Sequence, residues 1–74
     1  MPKLYSAKEI VKALKRSGFG KISQRGSHIK MRGLWRGKLQ TVIIPNYRQI
    51  AFGTFQSILS QASMILEEFK AFLR

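Results

Sequence analysis

Apolar residues at Ala7, Ile10, Val11 and Leu14 recur with helical spacing and form one stripe, while Lys8, Lys12, Lys15 and Arg16 take the opposite surface. Ser6 stands three residues before Glu9, the spacing of a capping box that starts a helix, and Gly18 supplies a left-handed stop. Past Phe19 that period is lost. Alternation replaces it, with Lys21, Ser23 and Arg25 on one side of a strand and Ile22 and Gln24 on the other. Gly26-Ser27 suits a two-residue type II′ turn, because glycine takes positive φ at its first central position. The strand that follows, His28 to Arg32, turns Ile29 and Met31 one way and His28, Lys30 and Arg32 the other.

Gly33 to Gly37 is bounded by glycines and reads as the next connection, with Trp35 near its tip. Lys38 to Ile44 is the third strand, and its Thr41-Val42-Ile43-Ile44 run suits a strand covered on both faces. Pro45-Asn46 ends it, since proline cannot donate to the ladder and asparagine favours turns. After a loop over residues 46–52, Gly53 or Thr54 caps a second helix whose Phe55, Ile58, Leu59 and Ala62 share a face. A last helix, roughly Ile65 to Leu73, carries Glu67 and Glu68 in its first turns and Leu66, Phe69 and Leu73 on a stripe. The order α-β-β-β-α-α predicts an α+β fold. A three-stranded antiparallel sheet packs on helices by one face and leaves the other open.

Length and charge narrow the function. At 74 residues the chain, 1–74, reads as one domain with a small core and no room for a dinucleotide-binding unit. Fourteen Lys and Arg stand against three acids, all Glu, for a net charge of +11. Such an excess on a small domain points to a polyanionic partner, with nucleic acid first and a membrane surface second. The chain has no cysteine, which removes disulfides and thiolate metal sites and fits a reducing cytoplasm. No segment approaches the roughly 20 apolar residues of a spanning helix, so a cytoplasmic, non-membrane protein is expected.

Candidate chemistry gathers at Arg25-Gly26-Ser27-His28-Ile29-Lys30-Met31-Arg32, which holds the one histidine among cations. RNA carries its own nucleophile: its 2′-hydroxyl attacks the adjacent phosphorus once a base takes its proton, and imidazole exchanges protons near neutrality. In that reading His28 is the base or acid, and Arg25, Lys30 and Arg32 contact phosphate. Lys21 does so less directly, and Gly26 lets the RNA backbone come close. On composition alone, a single histidine on a basic strand is more often a surface residue. The cations on the first helix are likewise a solvated face first and a phosphate-tracking row second. Trp35 packs at the edge of a core in the preferred reading and stacks on an unpaired base in the other. One histidine without cysteine or clustered carboxylates does not supply the usual zinc ligands, and no cofactor motif is present.

Taken together, the Gly18-Phe19 helix end, the Arg25-Gly26-Ser27-His28 hairpin, Pro45-Asn46-Tyr47-Arg48-Gln49-Ile50-Ala51-Phe52-Gly53-Thr54-Phe55, and Ile58-Leu59-Ser60-Gln61-Ala62 leading into Glu67-Glu68-Phe69 carry a resemblance. In these residues the chain resembles the HicA-type (YcfA-like) toxins, the mRNA interferases of toxin–antitoxin pairs. The resemblance implies a double-stranded-RNA-binding-like fold, cleavage of mRNA with His28 as the catalytic residue, and neutralisation by a cognate, acidic HicB-type antitoxin. The residues themselves offer Lys21, Arg25, Gly26, Ser27, Lys30 and Arg32 as the candidate RNA- and phosphate-binding set around His28. The chain departs from the family in four places. Tyr47 and Gln49 stand where the family commonly has His and Glu, and Ser63 and Ile65 where it often has Gly and a capping Ser. Cleavage by general acid–base chemistry normally uses two proton-transfer groups. Tyr47, a lysine or water are the candidates for the second. The leading expectation is a metal-independent endoribonuclease. The alternatives are a non-catalytic RNA-binding module of the same scaffold and a basic adaptor for membrane or protein.

Overall fold

A computed structural model describes residues 3–73 of the chain. The element order is α1 (Ala7–Arg16), β1 (Phe19–Arg25), β2 (His28–Trp35), β3 (Lys38–Pro45), α2 (Phe52–Ala62) and α3 (Leu66–Ala71). This is the expected α+β arrangement: one antiparallel sheet in the order β1-β2-β3, covered by helices on one face and open on the other.

The capping box at the start of α1 forms as its spacing requires. Ser6 Oγ accepts from the Glu9 amide at 3.0 Å, and the Glu9 carboxylate accepts from the Ser6 amide at 2.9 Å. Ala7, Ile10, Ala13 and Leu14 are buried beneath the sheet, with Val11 at the margin. In β2 the alternation holds from end to end. Ile29, Met31 and Gly33 face the core, while His28, Arg32 and Leu34 face solvent. The core is completed by Phe19, Val42, Ile44, Ile58 and an aromatic cluster in which Tyr5, Phe55 and Phe69 meet with ring centroids 5.0–5.4 Å apart.

Four local expectations are corrected by the structure, two in the strands and two in the helices. Gly33, Leu34 and Trp35 belong to β2 and not to the connection. The turn is the two-residue Arg36-Gly37, with φ of 56° and 73°, the sign pattern of a type I′ hairpin. Arginine hides such a turn, because its type does not advertise positive φ. Thr41 to Ile44 is covered on one face only: Val42 and Ile44 are buried, and Ile43 lies on the open face. Helix α2 begins at Phe52 with Ala51 as its cap residue, ahead of Gly53 and Thr54. The chain is already held there, because the Ile50 amide donates to Tyr5 O at 2.8 Å and Ile50 is fully buried. Lastly, α3 is shorter than expected, Leu66–Ala71, although Phe69 is buried as its stripe requires.

Trp35 settles as a core-edge residue. Its ring meets Phe72 edge-on at 5.9 Å, and its Nε1 donates to Ser63 O at 3.2 Å. Arg36 reaches the same carbonyl with Nε at 3.0 Å and pairs with Glu68 at 2.6 Å, so the β2–β3 turn is tied to the α2–α3 junction.

That junction turns on Ser63, which ends α2 at φ 56°, ψ 40°. The left-handed conformation costs a residue with a Cβ roughly 1–2 kcal/mol, offset by glycine's larger entropy loss on folding, roughly 0.5–1 kcal/mol. Ser63→Gly is therefore expected to stabilise the fold by about 0.5–1 kcal/mol, read as a higher urea midpoint. An unchanged or lower midpoint would show that the turn is not strained.

Candidate functional site

The open face owes its shape to one extra residue in β1. Lys21 pairs with Met31 and Ser23 with Lys30, so Ile22 is bulged out between them and is 47% exposed. Residues directly opposite across an antiparallel pair share a face. Ser23 and Arg25, opposite Lys30 and His28, therefore lie on the open face, whereas Lys21 and Gln24, opposite Met31 and Ile29, lie on the helix side. A hydrogen bond of 2.7 Å from Lys21 Nζ to Gln24 Oε1 fixes that arrangement. The expected row of Lys21, Ser23 and Arg25 is thus divided: the bulge turns Lys21 away from His28.

What remains is a shallow pocket of about 410 Å³ lined by Ser23, Arg25, His28, Lys30 and Ile43. Of the residues singled out in the sequence, it brings together Arg25, His28 and Lys30. Arg32 stays on the same face but leans toward β3, its Nε donating to Thr41 Oγ1 at 3.1 Å. Gly26 and Ser27 form the tip of the hairpin, with Gly26 at φ 53° and no left-handed angle at Ser27, as type II′ requires. A side chain at Gly26 would meet nothing within 4 Å, so the approach to the tip is open. Tyr47 is 56% exposed and does not line the pocket.

Two lining residues, Ser23 and Ile43, were not expected. Ser23 was within reach of the sequence, as it stands two positions before Arg25 on the same strand. Ile43 was concealed by its β-branched neighbours.

His28 is exposed and has no hydrogen-bond partner among the described residues, so both ring nitrogens are free to meet a substrate. The loop after β3 braces the end of the sheet from which it projects. The Asn46 amide donates to Ser27 O at 2.6 Å, and the Ala7 amide to Tyr47 O at 2.9 Å. That second bond also satisfies one of the orphan donors at the start of α1.

The field around the pocket is one-signed because the acids are held elsewhere. No acid occurs between Glu9 and Glu67. The Ser6 amide hydrogen bond, helped by Lys3, holds the Glu9 carboxyl below the usual glutamate value. The Ile65 amide and the Arg36 guanidinium do the same for Glu68. Both acids thus remain charged at helix starts, and among the described residues neither Arg25 nor Lys30 forms an ion pair. The pocket can accept an anion over the imidazole.

The sequence matches the model of a family described as "HicA toxin of bacterial toxin-antitoxin" over residues 7–64, a span that includes α1, the whole sheet and α2 and stops short of α3. No curated protein and no solved structure matches it. With well over half of its length matched, and the hairpin histidine and its cations inside the matched span, the chain belongs to the HicA family of bacterial toxin–antitoxin toxins.

Proposed function

We propose that this toxin is a metal-independent endoribonuclease that cuts mRNA at the open-face pocket, with His28 as the proton-transfer group. The observation that carries the reading is the placing of His28 between Arg25 and Lys30 in one acid-free pocket. The phosphodiester lies against the two cations, which stabilise the negative charge that grows on its non-bridging oxygens. A base removes the 2′-hydroxyl proton, the 2′-oxygen bonds to phosphorus, and the bond to the 5′-oxygen breaks as that oxygen receives a proton. The products are a 2′,3′-cyclic phosphate and a 5′-hydroxyl. His28 performs one of the two transfers. Lys30 is the titratable side chain that shares the pocket with it, so a lysine fits the second role better than Tyr47 does.

The reading extends to regulation. A cognate HicB-type antitoxin with an acidic surface would be drawn quickly to a chain of net charge +11 and would silence it by covering His28. The site of action is the cytoplasm, where message is available. Among the described residues, no helix is long and apolar enough to cross a membrane.

The mechanism is tested by the substrate. An all-ribose strand is expected to be cut in the presence of a strong chelator, leaving cyclic-phosphate ends. The same strand carrying 2′-O-methyl groups, or its DNA counterpart, is expected to stay whole. Cleavage of the methylated strand at a comparable rate, or its loss on chelation for the ribose strand, would overturn the proposal.

A further inference from the structure

The bulge that removes Lys21 from the pocket delivers it to a second basic surface. On the helix side, a groove of about 540 Å³ runs between α1 and the β1–β2 hairpin, lined by Lys8, Val11, Lys12, Lys15, Lys21, Gln24, Ile29 and Asn46. Lys8, Lys12 and Lys15 follow one another at four and three residues, so they share a face and span about 10 Å of the helix. Among the described residues, the ion pairs are Lys3–Glu9 and Arg36–Glu68, and neither involves a cation of this groove. Its floor is apolar, formed by the half-buried Val11 and the buried Ile29. The side-chain amides of Gln24 and Asn46 stand at its rim near the hairpin.

We infer that this groove is a second RNA-binding surface, which grips the sugar-phosphate chain of an unpaired stretch outside the scissile step and leads it over the hairpin tip to His28. The inference rests on the reading of the chain as an RNA-cutting protein. Three features select a single RNA strand. Cations at helical spacing neutralise successive phosphates. The apolar floor receives an unpaired base, and the amides offer donors and acceptors to its edges. Groove and pocket are also the two faces of the same two strand ends. Gln24 and Ile29 point into the groove, their chain neighbours Arg25 and His28 into the pocket, and Gly26 leaves the edge between them bare. Part of the affinity for long RNA then resides on the opposite face of the hairpin from the reacting phosphate, where it serves binding and not chemistry.

The test uses equilibrium binding of a 2′-O-methyl RNA strand, which reads the groove whether or not the chain cuts RNA. The parent is compared with Lys8→Ala/Lys12→Ala/Lys15→Ala and with a control that also removes three cations, Lys38→Ala/Arg48→Ala/Lys70→Ala, all checked for folding by circular dichroism. The groove variant is expected to bind at least about 10-fold more weakly. The slope of log affinity against log salt should be shallower by about two, since each lost contact to a single strand removes about 0.7. The control keeps the parent slope. Lys21→Ala, on the opposite wall, is expected to shift the slope in the same direction by one contact. An unchanged slope in the groove variant, or an equal loss in the control, would overturn the inference. So would competition by polyglutamate as effective as that by RNA, which would make the groove a docking face for acidic protein. Failure of the chain to cut ribose RNA, with the slope change intact, would count against the nuclease reading alone.

Discussion

His28→Ala is expected to cut RNA about 10²–10⁴-fold more slowly than the parent chain, the range a positioned general acid or base contributes. Its folding should be untouched. The side chain is exposed and takes no hydrogen bond among the described residues, so the urea midpoint of the variant should match the parent's. That separation of rate from stability is what distinguishes a catalytic histidine from a structural one. Binding supports the distinction, since Arg25, Lys30 and the α1 lysines remain, and the variant should still hold 2′-O-methyl RNA with near-parental affinity. In a growth assay, induction of the parent would arrest cells, and induction of the variant would not. A His28→Ala protein that cuts as fast as the parent would remove the proposed chemistry. Lys30→Arg, which keeps the positive charge but holds its proton, probes the second transfer. A loss there larger than that at Tyr47→Phe would place the partner group on β2, inside the pocket, and the reverse order would place it on the loop.

The largest expected loss of stability comes from a single added methyl group. In Gly33→Ala the new Cβ would stand 2.6 Å from Phe19 Cα and 2.8 Å from Gly18 O, both backbone atoms that no rotamer change can move. Phe19 pairs with Gly33 across β1 and β2 and is buried, so the start of β1 must lift away from β2 and draw its ring out of the core. Overpacking costs about 1–3 kcal/mol, and contact with backbone atoms that cannot repack puts this case at the upper end, about 3 kcal/mol. A domain this small is held together by only about 4–10 kcal/mol. With a urea m-value of about 1 kcal/mol/M for a small domain, the midpoint should fall by about 3 M. Gly20→Ala is the internal comparison. A Cβ there meets nothing within 4 Å, so that variant should stay close to the parent. Equal midpoints for the two alanine variants would show that β1 yields freely at Phe19. Because Gly33 lies five residues along β2 from His28, about 17 Å away, whatever fraction of Gly33→Ala remains folded should keep its cleavage rate.

Much of the site could be read directly from neighbouring residues. The capping box of Ser6 and Glu9 joins groups three residues apart, and the period of two from His28 to Arg32 is a property of any strand. Both appear in the structure as the residue types alone require. The features that the local pattern does not predict depend on partners distant in sequence. Nothing local marks Ile22 as the residue skipped by the β1–β2 ladder, yet that one insertion decides that Lys21 serves the helix-side groove and not the pocket. Arg36 takes positive φ because the two strands must meet at the right twist, and Ile43 faces solvent because helices cover only one side of the sheet. Ile50, in a stretch that reads as polar loop, is fully buried because the loop is anchored to Tyr5.

The order of residue types by itself determined the class of fold, the faces of α1 and β2, the one-signed charge and the presence of a single imidazole, His28, among the hairpin cations. These follow from short-range periodicity and from chemistry that each side chain carries wherever it lies. Which cations stand beside His28, where Tyr47 points and what Gly33 prevents were decided only by tertiary structure. Strand register, a bulge and backbone contact between distant segments are set by pairing across the sheet, and a shift of one residue there exchanges the two faces.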